Sequence, residues 1–210
     1  MYDNRGVRVE IPPDRPRVEM PLLSGGTVVL VPLAPVDRHY IEAGFDELSP
    51  ESRYSRFGVG MESLSNSELE YLTNVDQRHH VSWGAVIDDK GAGVGRYIVV
   101  DGDEADVAIT VLDRYQGSGV GTALLLALAA VAAADGLRSF RVDVTPANRR
   151  VIEWLAQSGV PLEDGDDGLI RGNIPLQGVA VPIADQLVAA MEEFRASMTR
   201  SRDPDPETPS

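Results

Sequence analysis

Between Ala105 and Thr122 the chain reads ADVAITVLDRYQGSGVGT, and it runs on into an apolar tract from Ala123 to Ala134. No other stretch limits the fold as tightly. Asp106 to Leu112 is rich in β-branched residues and stops at Asp113-Arg114, which predicts a strand. Gly117, Gly119 and Gly121 then remove side chains from the following loop, so that backbone amides can converge on one point. Thr122 is expected to open a helix, whose first N–H groups lack partners inside the helix and whose dipole is positive at that end. Strand, glycine loop and helix start together form an anion cradle, and its usual guest is a phosphate or pyrophosphate.

The identity of the phosphate ligand turns on spacing. A P-loop needs Lys and then Ser/Thr after its last glycine, and here Thr122 follows Gly121 directly. A dinucleotide fingerprint starting at Gly117 would have Thr122 in place of its third glycine, although Asp143 falls near where a ribose-binding acid would stand. Gln116-x-x-Gly119-x-Gly121 matches a third pattern in full. It resembles the coenzyme A pyrophosphate loop of the GNAT superfamily of N-acetyltransferases. The resemblance continues through an Ala/Leu helix, a strand Ser139–Val144, and Asn148-Arg149-Arg150-Val151-Ile152 with Gly159-Val160 closing a helix. It covers the chain from about Gly26 to Leu176. The phrase Leu48-Ser-Pro-Glu-Ser-Arg-Tyr54, with Arg56-Phe57 and later Leu72-Thr73 and Val75-Asp76, is similar to the Pat-type bacterial protein lysine acetyltransferases within that superfamily.

The fold implied is α/β (α+β): a mixed, mostly antiparallel twisted sheet flanked by helices, with an added C-terminal helix. The hairpins ahead of the glycine loop, at Asp88-Asp89-Lys90-Gly91 and Asp101-Gly102-Asp103, point the same way, because a Rossmann domain would alternate strands and helices from its start. Residues 1–26 are expected to be an arm with little structure, 27–178 the acetyltransferase domain, 179–202 an amphipathic helix and 203–210 a disordered tail. Gly91, Gly93 and Gly95 join two strands and are expected to serve turns. In the helix after Pro182, the stripe Ile183, Leu187, Met191, Phe194 and Met198 either packs on its own domain or makes a homodimer or lid contact.

Charge and composition bound the partners. Nineteen Lys+Arg against 33 Asp+Glu give a net charge of −14, which argues against wrapping nucleic acid or an anionic membrane and favours a cationic acceptor such as an amine. The absence of cysteine excludes an acyl-enzyme through sulfur, disulfides and thiolate metal sites. His79-His80 invite a metal or general-base reading, but no third ligand stands at local spacing, so no metal is expected. With no apolar leader and no tract long enough to span a bilayer, a cytoplasmic location is expected.

The resemblance implies acetyl-CoA as co-substrate and an amine acceptor, a protein lysine or a small molecule. It implies that Ile109 to Val111 hold the pantetheine arm through main-chain groups of a strand that splays from its neighbour. Gln116, Gly117, Ser118, Gly119, Val120, Gly121 and Thr122 would bind the pyrophosphate. Asn148 would touch the coenzyme arm; equally, it suits a helix N-cap. Asp106 stands where Pat-type proteins carry a Glu, one methylene shorter, and is the candidate general base, with Glu104 in reserve and solvation of a hairpin end as its structural alternative. Leu155 stands where other members of the superfamily place a proton-donating Tyr. A catalytically weak acyl-CoA-binding module is the reading from a different class.

Overall fold

The computed structural model describes residues 6–57, 61–181 and 183–202; residues 1–5 and the expected tail at 203–210 lie outside the described residues. In chain order its elements are β1 (Val18–Pro21), β2 (Thr27–Pro32), α1 (Arg38–Asp46), α2 (Pro50–Phe57), α3 (Asn66–Thr73), β3 (His80–Ile87), β4 (Lys90–Asp101), β5 (Glu104–Val111), α4 (Val120–Ala134), β6 (Ser139–Val144), α5 (Arg149–Gln157), β7 (Leu162–Asp164), β8 (Ile170–Pro175) and α6 (Ala184–Arg202). The strands form one sheet in the order β1-β2-β3-β4-β5-β6-β8-β7. Every neighbouring pair is antiparallel except β5 and β6, which are joined by the α4 crossover and run parallel.

Local chemistry explains the punctuation. Ser49 Oγ accepts the Ser52 N–H ahead of Pro50, an N-cap with proline at the first helical position. Ser65 and Glu68 form a reciprocal capping box at α3. Asp88 and Asp89 both take positive φ, 50° and 58°, so a two-residue primed turn joins β3 to β4.

One face of the sheet is sealed by α4 and α6. Leu30, Val81, Trp83, Tyr97, Ala105 and Val107 point to this side and are buried against Leu124, Leu128 and Val131 of α4. Here the glycine series in β4 differs from expectation. Gly95 lies inside the strand, and a Cβ there would sit 3.0 Å from Leu128 Cδ1 and 3.2 Å from Leu124 Cβ; at Gly93 it would sit 2.7 Å from the Thr110 carbonyl oxygen. These glycines let a bulky helix approach the sheet, a packing role that hairpin spacing alone does not distinguish from a turn.

Three further differences are structural. The arm is not without structure, because Val18 and Met20 are buried and β1 pairs with β2 in register Val18↔Leu30 to Pro21↔Thr27. Pro12, Pro13 and Pro16 precede the strand and Pro21 is its last residue, so its alternation is left intact. The glycine-loop helix begins two residues before Thr122, with Gly119 (φ 101°) as its N-cap. The C-terminal stripe is covered by the chain's own core: Leu187, Met191 and Phe194 are buried, and Arg195 ties α6 down through Asp135 and the Gln77 carbonyl.

The opposite face carries Ser82, Gly84, Val86, Arg96, Ala108, Thr110 and Leu112, beneath α1 and α2 and the arm. Phe45 and Leu48 close it from the helix side, with Phe57, Met61 and Leu64 packed around them.

Candidate active site

The site is built where the parallel pair comes apart. β5 and β6 are in register over Glu104↔Ser139, Ala105↔Phe140 and Asp106↔Arg141, and beyond Asp106 the pairing stops. Leu112 N–H donates to the Ala92 carbonyl at 3.0 Å, so alternate residues of β5 (Thr110, Ala108) turn their main-chain groups to β4. By the same alternation the N–H and C=O of Ile109 and Val111 point to the open side, where β6 has diverged. Their side chains pack on the α4 core. Buried main-chain groups need partners, and an extended polar ligand lying in this wedge would supply them.

At the end of the open edge the chain enters the glycine loop. Gly117 has φ 80° and Gly119 φ 101°, values that L side chains rarely adopt. Ala123 N–H donates to the Gly119 carbonyl at 2.9 Å as the first bond of α4, so the N–H groups of Val120, Gly121 and Thr122 have no partner within the helix. Val120 is buried, so what it can offer a ligand is its amide. Gly121 has ordinary room, with Val111 Cγ2 3.6 Å from a Cβ placed there.

The side chains of several expected binding residues are engaged within the protein. Gln116 directs its amide to Ser52 Oγ at 3.0 Å and the Val111 carbonyl at 3.3 Å, locking the loop to α2 and to the end of β5. Ser118 Oγ donates to the Tyr115 carbonyl at 2.5 Å. Asn148 is the N-cap of α5, its Oδ1 accepting the Val151 N–H at 3.4 Å. Leu155 is buried and packs; it brings no hydroxyl to the site.

Two further contributors to the loop stand outside the Gln116–Thr122 motif. The guanidinium of Arg150, on α5, lies against Gly117, in the space a Cβ would take. The β1–β2 turn leans on the other side: Ser24 Oγ donates to the Ser118 carbonyl at 2.7 Å, and Leu23 N would stand 3.4 Å from a Gly119 Cβ. The Asn148-Arg149-Arg150 run was the available signal for the first. Nothing local announces the second.

Asp106 is the last residue of β5 paired with β6, at the apex of the wedge. Ala105 and Val107 are buried toward α4, so Asp106 faces the other side, with Arg96, Ala108 and Thr110. Its Oδ1 accepts from Arg141 Nε at 2.9 Å, and both side chains are half exposed. Glu104 sits at the closed end, where its Oε1 accepts from Ser139 Oγ at 3.0 Å and Asn173 Nδ2 at 3.2 Å.

His80 lies across the same face. Asp76 Oδ1 accepts the N–H groups of Arg78, His79 and His80 at 2.8–2.9 Å, which fixes the turn that presents the ring. Burial and then Arg96 push the His80 imidazole down to about 4, so it is neutral near pH 7. Burial pushes the Asp76 carboxyl up, but those N–H groups and the His79 ring outweigh it and hold it at about 2. His79 points to solvent.

A wedge between parallel strands that ends in a glycine-capped helix is a shape shared with known proteins. The sequence profile described as the Acetyltransferase (GNAT) family matches residues 43–160, more than half of the chain. The chain belongs to the GNAT family of acetyltransferases. It is 28% identical over 149 residues to Acetyltransferase PA5475 of Pseudomonas aeruginosa, covering 68% of this chain and 80% of the relative. To Acetyltransferase Pat of Mycolicibacterium smegmatis it is 28% identical over 188 residues, 85% of this chain but 55% of that protein, so it spans about half the length of that relative. Among solved structures, the GNAT domain of S. lividans PAT superposes with a TM-score of 0.71 at 30% identity, covering 76% of this chain and 96% of that one.

GNAT enzymes use acetyl-CoA as co-substrate, and the wedge suits it. The amides of α4 and the Arg150 guanidinium would meet the diphosphate, and the open edge at Ile109 and Val111 would meet the amide-bearing pantetheine arm. Among the described residues no helix is long and apolar enough to cross a membrane.

Proposed function

We propose that this GNAT enzyme transfers the acetyl group of acetyl-CoA to an amine by direct attack in a ternary complex. The observation that carries the reading is the main-chain edge of β5 left free beyond Asp106, running straight into the Gly117–Thr122 cradle. Coenzyme A held along that edge has its thioester near the apex of the wedge. The amine nitrogen bonds to the acetyl carbon, the C–S bond breaks, and sulfur leaves as thiolate. An N–H of the Ile109–Val111 segment offsets the charge that grows on the carbonyl oxygen.

The proton given up by nitrogen goes to Asp106, directly or through one water, with Arg141 fixing the carboxylate through Oδ1. A thiolate is a stable leaving group, so Leu155 in place of a hydroxyl donor costs the reaction little. The kinship with proteins named Pat supports a lysine ε-amine as acceptor. A small amine is the second reading, favoured by an apolar-walled cavity on the acceptor side of β5.

The test is thiol release from acetyl-CoA with amine acceptors. Asp106→Ala is expected to keep acetyl-CoA affinity and to lower kcat by about a hundredfold or more, the usual worth of a positioned base. Unchanged kcat removes Asp106 from the chemistry. Acetyl-CoA binding with no transfer to any amine by the wild type would instead make the chain an acyl-CoA-binding module.

A further inference from the structure

The cavity between the sheet and α1–α2 has an unusual charge pattern for a protein carrying −14. Its walls are largely apolar, with Val31, Leu33, Phe45, Leu48, Phe57 and Leu72 among them. Into this lining project two guanidinium groups, Arg56 from α2 and Arg96 from β4. Arg56 Nε donates to Thr110 Oγ1 at 3.1 Å, and Arg96 lies 4.8 Å above the Tyr71 ring. Neither forms an ion pair with a described carboxylate, and Arg96 Nη1 is buried with no hydrogen-bond partner.

A third arginine on the same wall shows the contrast. Arg15 is closed off by Asp37 at 2.7 Å and by the Pro32 carbonyl at 3.0 Å. Glu10, the other acid of the lining, is exposed and pairs with neither Arg56 nor Arg96.

Two like charges held together in an apolar lining are costly unless something negative joins them. The electrostatics carry the mark of that cost. Burial and then Arg96 bring Arg56 down to about 10, and burial lowers Arg96 as well. The same Arg96 bears on His80, whose Nε2 is also buried without a partner. An anion in reach of both arginines would satisfy Arg96 Nη1 and relieve the repulsion.

The anion's place follows from the strand that links cavity and wedge. Ala108 and Thr110 of β5 line the cavity, and the free edge of that strand is where the thioester arm would lie. We infer that the acceptor of this enzyme is a small amine that also bears a carboxylate and an apolar body, an amino acid of phenylalanine-like character, its carboxylate held by Arg56 and Arg96. The inference rests on the acetyltransferase reading in its small-amine form, and takes the cavity over the kinship with Pat as the guide to the acceptor. The overall acidity that favours a cationic acceptor does not extend into this cavity, whose lining holds Arg15, Arg56 and Arg96 against Glu10 and Asp37. Arg96 stands between Gly95 and Tyr97 in the middle of β4, on the face opposite α4.

Calorimetric titration of protein loaded with coenzyme A, with L-phenylalanine and with phenethylamine, tests it, since the two differ by the carboxylate alone. L-Phenylalanine is expected to bind at least about tenfold more tightly, the scale of one charge-assisted contact. Arg96→Gln and Arg56→Gln should each erase that preference without lowering the melting temperature, because each removes a like-charge neighbour. Equal affinity for the two amines overturns the inference, as does absent binding of L-phenylalanine, or a lysine peptide that binds as tightly. In all three cases acetyl-CoA binding would remain. Failure of coenzyme A itself to bind overturns both this inference and the reading beneath it.

Discussion

Arg195→Ala tests whether α6 is part of the domain. The guanidinium donates from Nε to the Gln77 carbonyl at 2.5 Å, and from Nη1 and Nη2 to Asp135 Oδ1 and Oδ2 at 2.9 and 2.6 Å. Asp135 Oδ2 also accepts the Tyr97 hydroxyl at 3.1 Å, and burial followed by Asp135 raises the ionisation of that hydroxyl well above its usual range. One side chain therefore joins α6, the end of α4, the approach to β3 and the middle of β4. Removing one partner of a buried ion pair costs about 3–5 kcal/mol. Asp135 is 30% exposed and Arg195 12%, so water recovers part of the loss, and about 2–3 kcal/mol is the better figure. For a chain of this size that is a fall in melting temperature of roughly 4–12 °C. Differential scanning calorimetry on wild type, Arg195→Ala, Asp135→Ala and the double variant reads it. A coupling energy above about 1 kcal/mol is expected. A fall below about 1 °C, or additive single effects, would refute the claim that this pair secures the helix.

Two further outcomes follow from the site. Gly119→Ala meets a backbone at φ 101° and should weaken acetyl-CoA binding by about tenfold through strain alone, while Gly119→Asp adds a carboxylate against phosphate and should abolish it in the same titration; equal effects would show that charge at this position is irrelevant. His80, held down to about 4 against an ordinary value of 6.5, binds its proton more readily in the unfolded chain, so its contribution to stability is complete above pH 6.5 and is lost as pH falls toward 4. An imidazole titration followed by NMR should find that midpoint low in the wild type and higher in Arg96→Gln; an unshifted midpoint in the variant would deny that Arg96 bears on His80.

The sequence carried the parts of this molecule that depend on local chemistry. The Ser65–Glu68 cap, the Ser49-Pro50 start of α2, the Asp88-Asp89 turn and the strand–glycine–helix unit were all legible, because each is decided by residues within a few positions of one another. Helix α4 starts two residues ahead of Thr122 because Gly119 caps it through a left-handed backbone, and no side chain advertises that. β1 was hidden by its prolines and exists because β2 offers it an edge. The roles of Gly93 and Gly95 depend on how near α4 comes, a distance that strand periodicity does not encode. Around the site, the strand and glycine loop were legible from spacing, whereas the contact of the Leu22–Ser24 turn with the loop and the gathering of Arg56 and Arg96 in one cavity lining arise from tertiary packing between segments tens of residues apart.

The account stands on main-chain amides gripping the acetyl donor, and hydrogen exchange on the protein with and without acetyl-CoA reads those amides one by one. The N–H groups of Gly117, Gly119, Val120, Gly121 and Thr122, with those of Ile109 and Val111 on the open edge, are predicted to slow when the thioester is bound. Exchange unchanged at these seven positions, with slowing elsewhere in the chain, would place the donor in a different part of the molecule and contradict the account.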